Sequence, residues 1–272
     1  KQGVYAHLDL FDAIDWGLII YDEVHLLPAP IFRFTADIQS RRRLGLTATL
    51  VREDGMEGEV FSLIGPKRFD VPWKEIEAQG YIAPADCVEV RITLTDAERL
   101  NYATAEQEDR YRFCATSQTK KDVAIALAKQ HANDQVLVIG QYLEQLDQLS
   151  EALGVPVIKG ETPVKERERL FALFRTGEIK CLVVSKVANF SIDLPEATIA
   201  IQVSGTFGSR QEEAQRLGRI LRPKADGRTA RFYSLVARDT VDQDFAQNRQ
   251  RFLAEQGYAY RIIDADEVIN KN

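Results

Sequence analysis

From residue 135 onward the chain alternates short apolar runs with segments of helical period, and this alternation limits the fold more than any other feature. Gln135-Val136-Leu137-Val138-Ile139 is an apolar run of strand length. Leu143, Leu146, Leu149 and Leu153 follow at helical spacing, and Gly154 closes that helix. The leucine stripe is a core stripe rather than a binding device. Val155-Pro156-Val157-Ile158 is extended, Val164 to Phe174 is an amphipathic helix closed near Gly177, and Lys180 to Ser185, Ala197 to Val203 and Thr229 to Val236 are further strands. Strands that are apolar throughout are buried on both faces, which happens when helices cover a parallel sheet. The expectation is an α/β fold: a mostly parallel sheet with helices on both faces.

The first half carries a shorter version of the same signal. Leu18-Ile19-Ile20-Tyr21 reads as a buried parallel strand, and Leu44 to Leu46 as a second strand. Gly80-Tyr81-Ile82-Ala83-Pro84 reads as a connection, Cys87 to Leu94 alternates as a strand does, and Asp96 is a plausible cap for a polar helix. The predicted organisation is one partial domain over 1–78, a connection with a short polar helical region over 79–120, a complete domain over 121–240 entered by a strand from about 86, and a C-terminal helix and extension over 241–272.

Two constellations carry chemistry. Asp22-Glu23-Val24-His25 follows directly on the first apolar strand. Acidic residues at the carboxyl end of a parallel strand lie at the crevice where α/β sheets bind ligands. Asp22 is suited to a magnesium ion, which prefers carboxylate and phosphate oxygens, and Glu23 to orienting or deprotonating an attacking water. The second constellation is Gln215-Arg216-Leu217-Gly218-Arg219-Ile220-Leu221-Arg222. On a helix Gln215, Arg219 and Arg222 stand at i, i+4 and i+7 and share a face. Two guanidinium groups aimed at one target suit a phosphate, and an arginine that reaches a nucleotide from a second domain is an arginine finger.

In this order, these motifs resemble the motor of a superfamily two helicase of the XPB type. Asp22-Glu23-Val24-His25 resembles motif II, Leu44-Gly45-Leu46-Thr47-Ala48-Thr49 motif III, Ser185-Lys186-Val187 through Asp193-Leu194-Pro195 motif V, and Gln215 to Arg222 motif VI. Arg52-Glu53-Asp54 matches the triplet typical of that family, and the segments Arg231 to Val236 and Arg251 to Tyr258 are similar to the family's end. The resemblance covers nearly the whole chain and implies RecA-like domains, one partial and one complete, that hydrolyse ATP with Mg2+. It implies Glu23, Arg219 and Arg222 as catalytic, with Asp22, His25, Asp193 and Gln215 at the nucleotide, Asp193 toward the ribose. Thr47 and Thr49 would couple the nucleotide site to DNA. Ser185, Lys186, Ser204 and Thr206 would contact a single strand, and Arg52, Glu53 and Asp54 the fork. The first domain would supply Asp22 and Glu23 and the second its arginines, so that closure drives movement.

No G-x-x-x-x-G-K-[ST] phosphate loop occurs in the chain. The expectation is therefore a first motor domain lacking its upstream part, a missing N-terminal half of the same protein as partner, and no ATPase from this chain alone. The function implied is the motor portion of an ATP-dependent 3′–5′ DNA helicase in repair or transcription. A duplex DNA translocase, or a non-catalytic DNA- or partner-binding fragment, stands as the alternative. A repair nuclease or a transcription and repair complex is the further partner class. The implied location is the cytoplasm and nucleoid of a prokaryote or the nucleus of a eukaryote.

Composition adds bounds. With 45% hydrophobic residues the 272-residue chain has material for about two cores. A net charge of −6 does not advertise nucleic-acid binding, but affinity comes from local basic clusters such as Arg210 to Arg231. Arg41-Arg42-Arg43 is better read as a solvated turn. Cys87, Cys114 and Cys181 are widely spaced, which predicts buried or half-buried thiols rather than a zinc site or disulfides. No membrane-spanning or signal segment stands out.

Overall fold

The computed structural model describes residues 11, 13–29, 34–38, 40–47, 57–185, 197–205, 217–218 and 229–270. The chain divides into two compact units, Lys1–Asp70 and Val71–Asn272. This boundary falls earlier than the predicted 78, and packing gives the reason. The helix Trp73–Ala78 docks on the far end of the second unit: the Trp73 N–H donates to Gln256 Oε1 (3.1 Å), the Trp73 ring meets Tyr258 edge-on at 6.5 Å, and the Tyr258 hydroxyl donates to Glu77 (2.9 Å).

In the first unit β1 (Ile19–Tyr21) and β2 (Arg43–Gly45) pair in parallel, with Ile20 opposite Leu44. A small core of Val24, Leu27, Ala36 and Val60 forms on one side, joined by Tyr21 of β1 and by Leu63 and Ile64 of helix α1 (Glu57–Ile64). The Arg43 guanidinium donates to the carbonyls of Leu63 (3.3 Å) and Ile38 (3.0 Å). Leu18, Ile20, Leu44 and Leu46 point away from that core and are exposed.

The second unit is built on a seven-stranded sheet. Its strands are β3 (Ala85–Ile92), β4 (Val136–Gly140), β5 (Val157–Ile158), β6 (Cys181–Ser185), β7 (Ile199–Gln202), β8 (Ala230–Ala237) and β9 (Tyr260–Asp264). They lie in the order β5-β6-β4-β7-β8-β3-β9, and every pairing is parallel. The strand predicted to enter this domain from about 86 is β3, which pairs along its whole length with β8.

Parallel strands need helical crossovers, and these cover both faces. On one face Val88, Val90, Val138, Val183, Ile201, Tyr233 and Leu235 pack under α5 (Gln118–Gln130), α6 (Leu143–Leu153) and the terminal helix Ala265–Ile269. On the other lies α8 (Val241–Glu255), whose Gln250 reaches Glu89 on β3 (2.6 Å). Between α6 and β6 runs α7 (Val164–Thr176). Helices α3 (Asp96–Thr104) and α4 (Arg110–Ala115) follow β3. The α3 cap is Thr95 rather than Asp96: its hydroxyl accepts the Glu98 N–H while the Glu98 carboxylate accepts the Thr95 N–H, a capping box. Gly154 (φ 65°) and Gly177 (φ 77°) end α6 and α7 in the left-handed conformation that glycine adopts without penalty. Within the leucine stripe, Leu146 and Leu149 are fully buried while Leu143 is exposed. Cys87 and Cys114 are buried, Cys181 partly so, and all three are free thiols.

Candidate functional site

The acidic run begins where β1 ends. Asp22 accepts the Glu23 N–H at its own Oδ1 (2.8 Å), which turns the chain sharply. Glu23 sits at φ 49°, ψ 45°, left-handed backbone that costs a non-glycine residue about 1 kcal/mol. The turn lifts both carboxylates to the surface and sends the next residues inward. Val24 N–H donates to the Leu46 carbonyl (3.0 Å), extending the β1–β2 pairing by one link. Gly45 permits this approach, because a Cβ there would lie 2.8 Å from a Val24 methyl group.

His25 is consequently buried, and its Nδ1 lies 2.8 Å from Thr47 Oγ1 and 3.4 Å from Glu23 Oε2. Three residues of the predicted site therefore meet at one imidazole: an exposed carboxylate, a buried ring, and a hydroxyl two positions past the end of β2. Asp22, Glu23 and Val24 also line a shallow depression with Tyr21, Leu26, Leu27 and Thr35. Among the described residues no group of three or more His, Cys, Asp or Glu side chains could hold a metal ion.

In the second unit the predicted strand-end residues are Ser185 at the end of β6 and Ser204 just past β7. β4 runs between their strands, with Gly140 opposite Ser185. Both serines are buried. Ser204 Oγ accepts the Gln141 N–H (2.8 Å), tying the end of β7 to the end of β4. Ser185 Oγ has no hydrogen-bond partner among the described residues. Of the arginine-rich segment, Leu217 is buried, and Gly218 faces the Trp73 ring, 3.4 Å from where a Cβ would stand. Thr49, Arg52, Glu53, Asp54, Lys186, Asp193, Thr206, Gln215, Arg219 and Arg222 lie outside the described residues.

Sequence reasoning missed a buried polar cluster beside Ser204. Lys120 and Asp242 are completely buried and meet at 2.6 Å, and Arg249 stands 3.4 Å from the other Asp242 oxygen. Burial alone would raise the Asp242 carboxyl, but Lys120, Arg249 and the Ala237 N–H outweigh it and hold it below the usual carboxylate range. A signal was present. Lys120 shares a helical stripe with Val123, Ala124 and Leu127, and Asp242 and Arg249 share one with Ala246 and Leu253. Charges on apolar stripes are paired when buried.

A parallel sheet covered by helices on both faces, as in the second unit, is the architecture of RecA-like helicase domains. The structure of Saccharomyces cerevisiae Dbp5 bound to RNA and ADP BeF3 shares it, with a TM-score of 0.64 over 97% of this chain and 64% of that one, at 16% identity. The chain belongs to the ERCC3/RAD25/XPB C-terminal helicase family, whose model matches residues 76–272. It is 74% identical over 268 residues to the DNA 3′-5′ helicase XPB of Kineococcus radiotolerans, covering 98% of this chain and 48% of that protein. It is 40% identical to the general transcription and DNA repair factor IIH helicase/translocase subunit XPB/SSL2 of Saccharomyces cerevisiae, covering 94% of this chain and 31% of that one. The chain thus spans about half the length of the first of these relatives and less of the second. No helix among the described residues is long and apolar enough to cross a membrane.

Proposed function

We propose that this chain is the motor portion of an ATP-dependent 3′–5′ DNA helicase acting in DNA repair, in transcription, or in both. The observation that carries the reading is the strand-end tie of Glu23, His25 and Thr47, with Asp22 beside it. A nucleotide-responsive carboxylate is linked there through one buried ring to the segment after β2. In this reading Asp22 holds Mg2+, which when bound would neutralise charge on the nucleotide phosphates. Glu23 orients the attacking water and takes its proton. Arg219 and Arg222 stabilise charge on the phosphoryl group, Gln215 and Asp193 position the nucleotide, and His25 with Thr47 and Thr49 relays the nucleotide state.

Lys186 and Thr206 contact the DNA backbone, without reading bases. Ser204, being buried, supports the end of β7 by accepting the Gln141 N–H, and Ser185 is buried at the end of β6. Arg52, Glu53 and Asp54 act at the fork. The partners that follow are DNA, a segment supplying the phosphate loop, and a repair or transcription complex at the chromosome.

The test is DNA-stimulated ATP hydrolysis by the chain, with and without a segment carrying a phosphate loop from a relative. Turnover is expected only with that segment, and Glu23→Gln should bind ATP yet lose turnover by at least about 100-fold. Turnover by the chain alone, or normal turnover in Glu23→Gln, would refute the assignment. The name of the yeast relative joins helicase with translocase, which favours duplex translocation as the second reading. Strand-displacement and triplex-displacement assays separate the two: Arg52→Ala should impair the first more than the second if the protein opens a fork.

A further inference from the structure

The turn that carries Asp22 and Glu23 is a bulge of one residue. Leu46 donates its N–H to the Tyr21 carbonyl (2.8 Å), and its own carbonyl accepts the Val24 N–H (3.0 Å). In a regular parallel ladder those two bonds reach residues two apart on the neighbouring strand. Here they span Tyr21 to Val24, so that Asp22 and Glu23 together stand where a strand would carry one residue. The Glu23 N–H, which a regular ladder would give to Leu46, goes to Asp22 Oδ1 instead (2.8 Å).

The extra residue decides which side chains face inward. Tyr21 packs against the small core of the first unit, so unbroken alternation would send Glu23 inward and Val24 outward. The bulge reverses this. Glu23 takes left-handed backbone (φ 49°) and keeps its side chain 47% exposed, while Val24 enters the core and His25 is buried against Thr47.

The reversal needs an empty place at Gly45, the residue paired with Tyr21. A Cβ there would lie 2.8 and 3.0 Å from the two Val24 methyl carbons and 3.1 Å from Val24 Cβ. Val24 has no room to yield: it is β-branched and stiff at χ1, and it is buried among Leu27, Ala36 and Val60. Bulges and left-handed non-glycine residues gather at active sites, where they re-aim a side chain. We propose that Gly45 and Val24 are positioning residues for ATP hydrolysis: their contact holds the bulge, and the bulge turns the Glu23 carboxylate outward to meet the attacking water. The proposal rests on the role given to Glu23 above.

The test is DNA-stimulated ATP hydrolysis by the chain supplied with a phosphate-loop segment, with ATP-binding sites counted by titration. Gly45→Ala should lower kcat by at least about tenfold, with KM for ATP held within about twofold and the number of sites unchanged. Val24→Ala removes both methyl groups that the new Cβ strikes, so Gly45→Ala introduced into Val24→Ala should cost at most about threefold. Glu23→Gln serves as the control. If Glu23→Gln loses turnover while Gly45→Ala keeps its kcat, lowers only the number of sites, or costs the same in both backgrounds, Gly45 and Val24 only pack and the proposal falls. If the completed chain hydrolyses no ATP, or Glu23→Gln hydrolyses it normally, the role of Glu23 fails and takes the proposal with it.

Discussion

The two units use strands of the same apolar character and bury them very differently. Val138 of β4 is fully buried between neighbours on both sides and helices on both faces, whereas Ile20 of β1 is 55% exposed in a sheet of two described strands. Polar groups differ in the same way. The second unit encloses Lys120, Asp242 and Arg249, while in the first unit the Arg41–Asp15 pair stands in solvent with side chains 77% and 73% exposed. An apolar run states that a strand can be buried, and the number of layers around it decides whether it is. Charged pairs follow the same rule, since their worth depends on the solvent they have lost.

The comparison can be broken most directly at its deepest point. Asp242→Ala leaves Lys120 uncompensated in the core and should destabilise the second unit by about 3–5 kcal/mol in urea denaturation. A loss below about 1 kcal/mol would mean that water reaches the cluster. Leu146→Ala, at a fully buried position, should cost about 2–5 kcal/mol, and Ile20→Ala at most about 0.5 kcal/mol. Equal costs for the two would erase the contrast between the units.

Asp242 also sets a pH dependence. Its carboxyl is lower in the folded than in the unfolded chain. The stability it contributes is complete above the ordinary carboxylate value of about 4 and is lost as pH falls through its lower folded value. Urea midpoints taken at falling pH should drop below about pH 4, and Asp242→Asn should flatten that drop from an already lower midpoint. Thr95→Ala removes the α3 cap and should cost about 1 kcal/mol. Arg41→Ala, the smallest effect, should stay within about 0.5 kcal/mol, and a larger loss would show that the first unit relies on its surface pairs.

Local signals carried much of the fold. Strand positions from β4 to β8 followed from apolar runs, because a strand buried on both faces has no alternative composition, and Gly154 and Gly177 marked helix ends because a left-handed residue is needed there. Signals of equal strength misplaced the Asp96 cap by one residue, since Thr95 and Asp96 are both good caps and the choice depended on where the Glu98 side chain could turn back. At the candidate site, Asp22, Glu23, His25 and Thr47 were visible as motif residues, but their meeting at one imidazole depended on the β1–β2 register and on the room left by Gly45.

By itself the sequence determined the acidic and arginine-rich segments and the individual strands and helices, which are written in short-range spacing, the α/β class through their alternation, and the family through the resemblance of motifs in order along nearly the whole chain. Only the tertiary structure decided that the helix at Trp73 belongs to the second unit, and that Lys120, Asp242 and Arg249 meet in its core. Those outcomes depend on which distant segments come together, and the free energy of a buried charge or an exposed isoleucine is set by that company rather than by its neighbours along the chain.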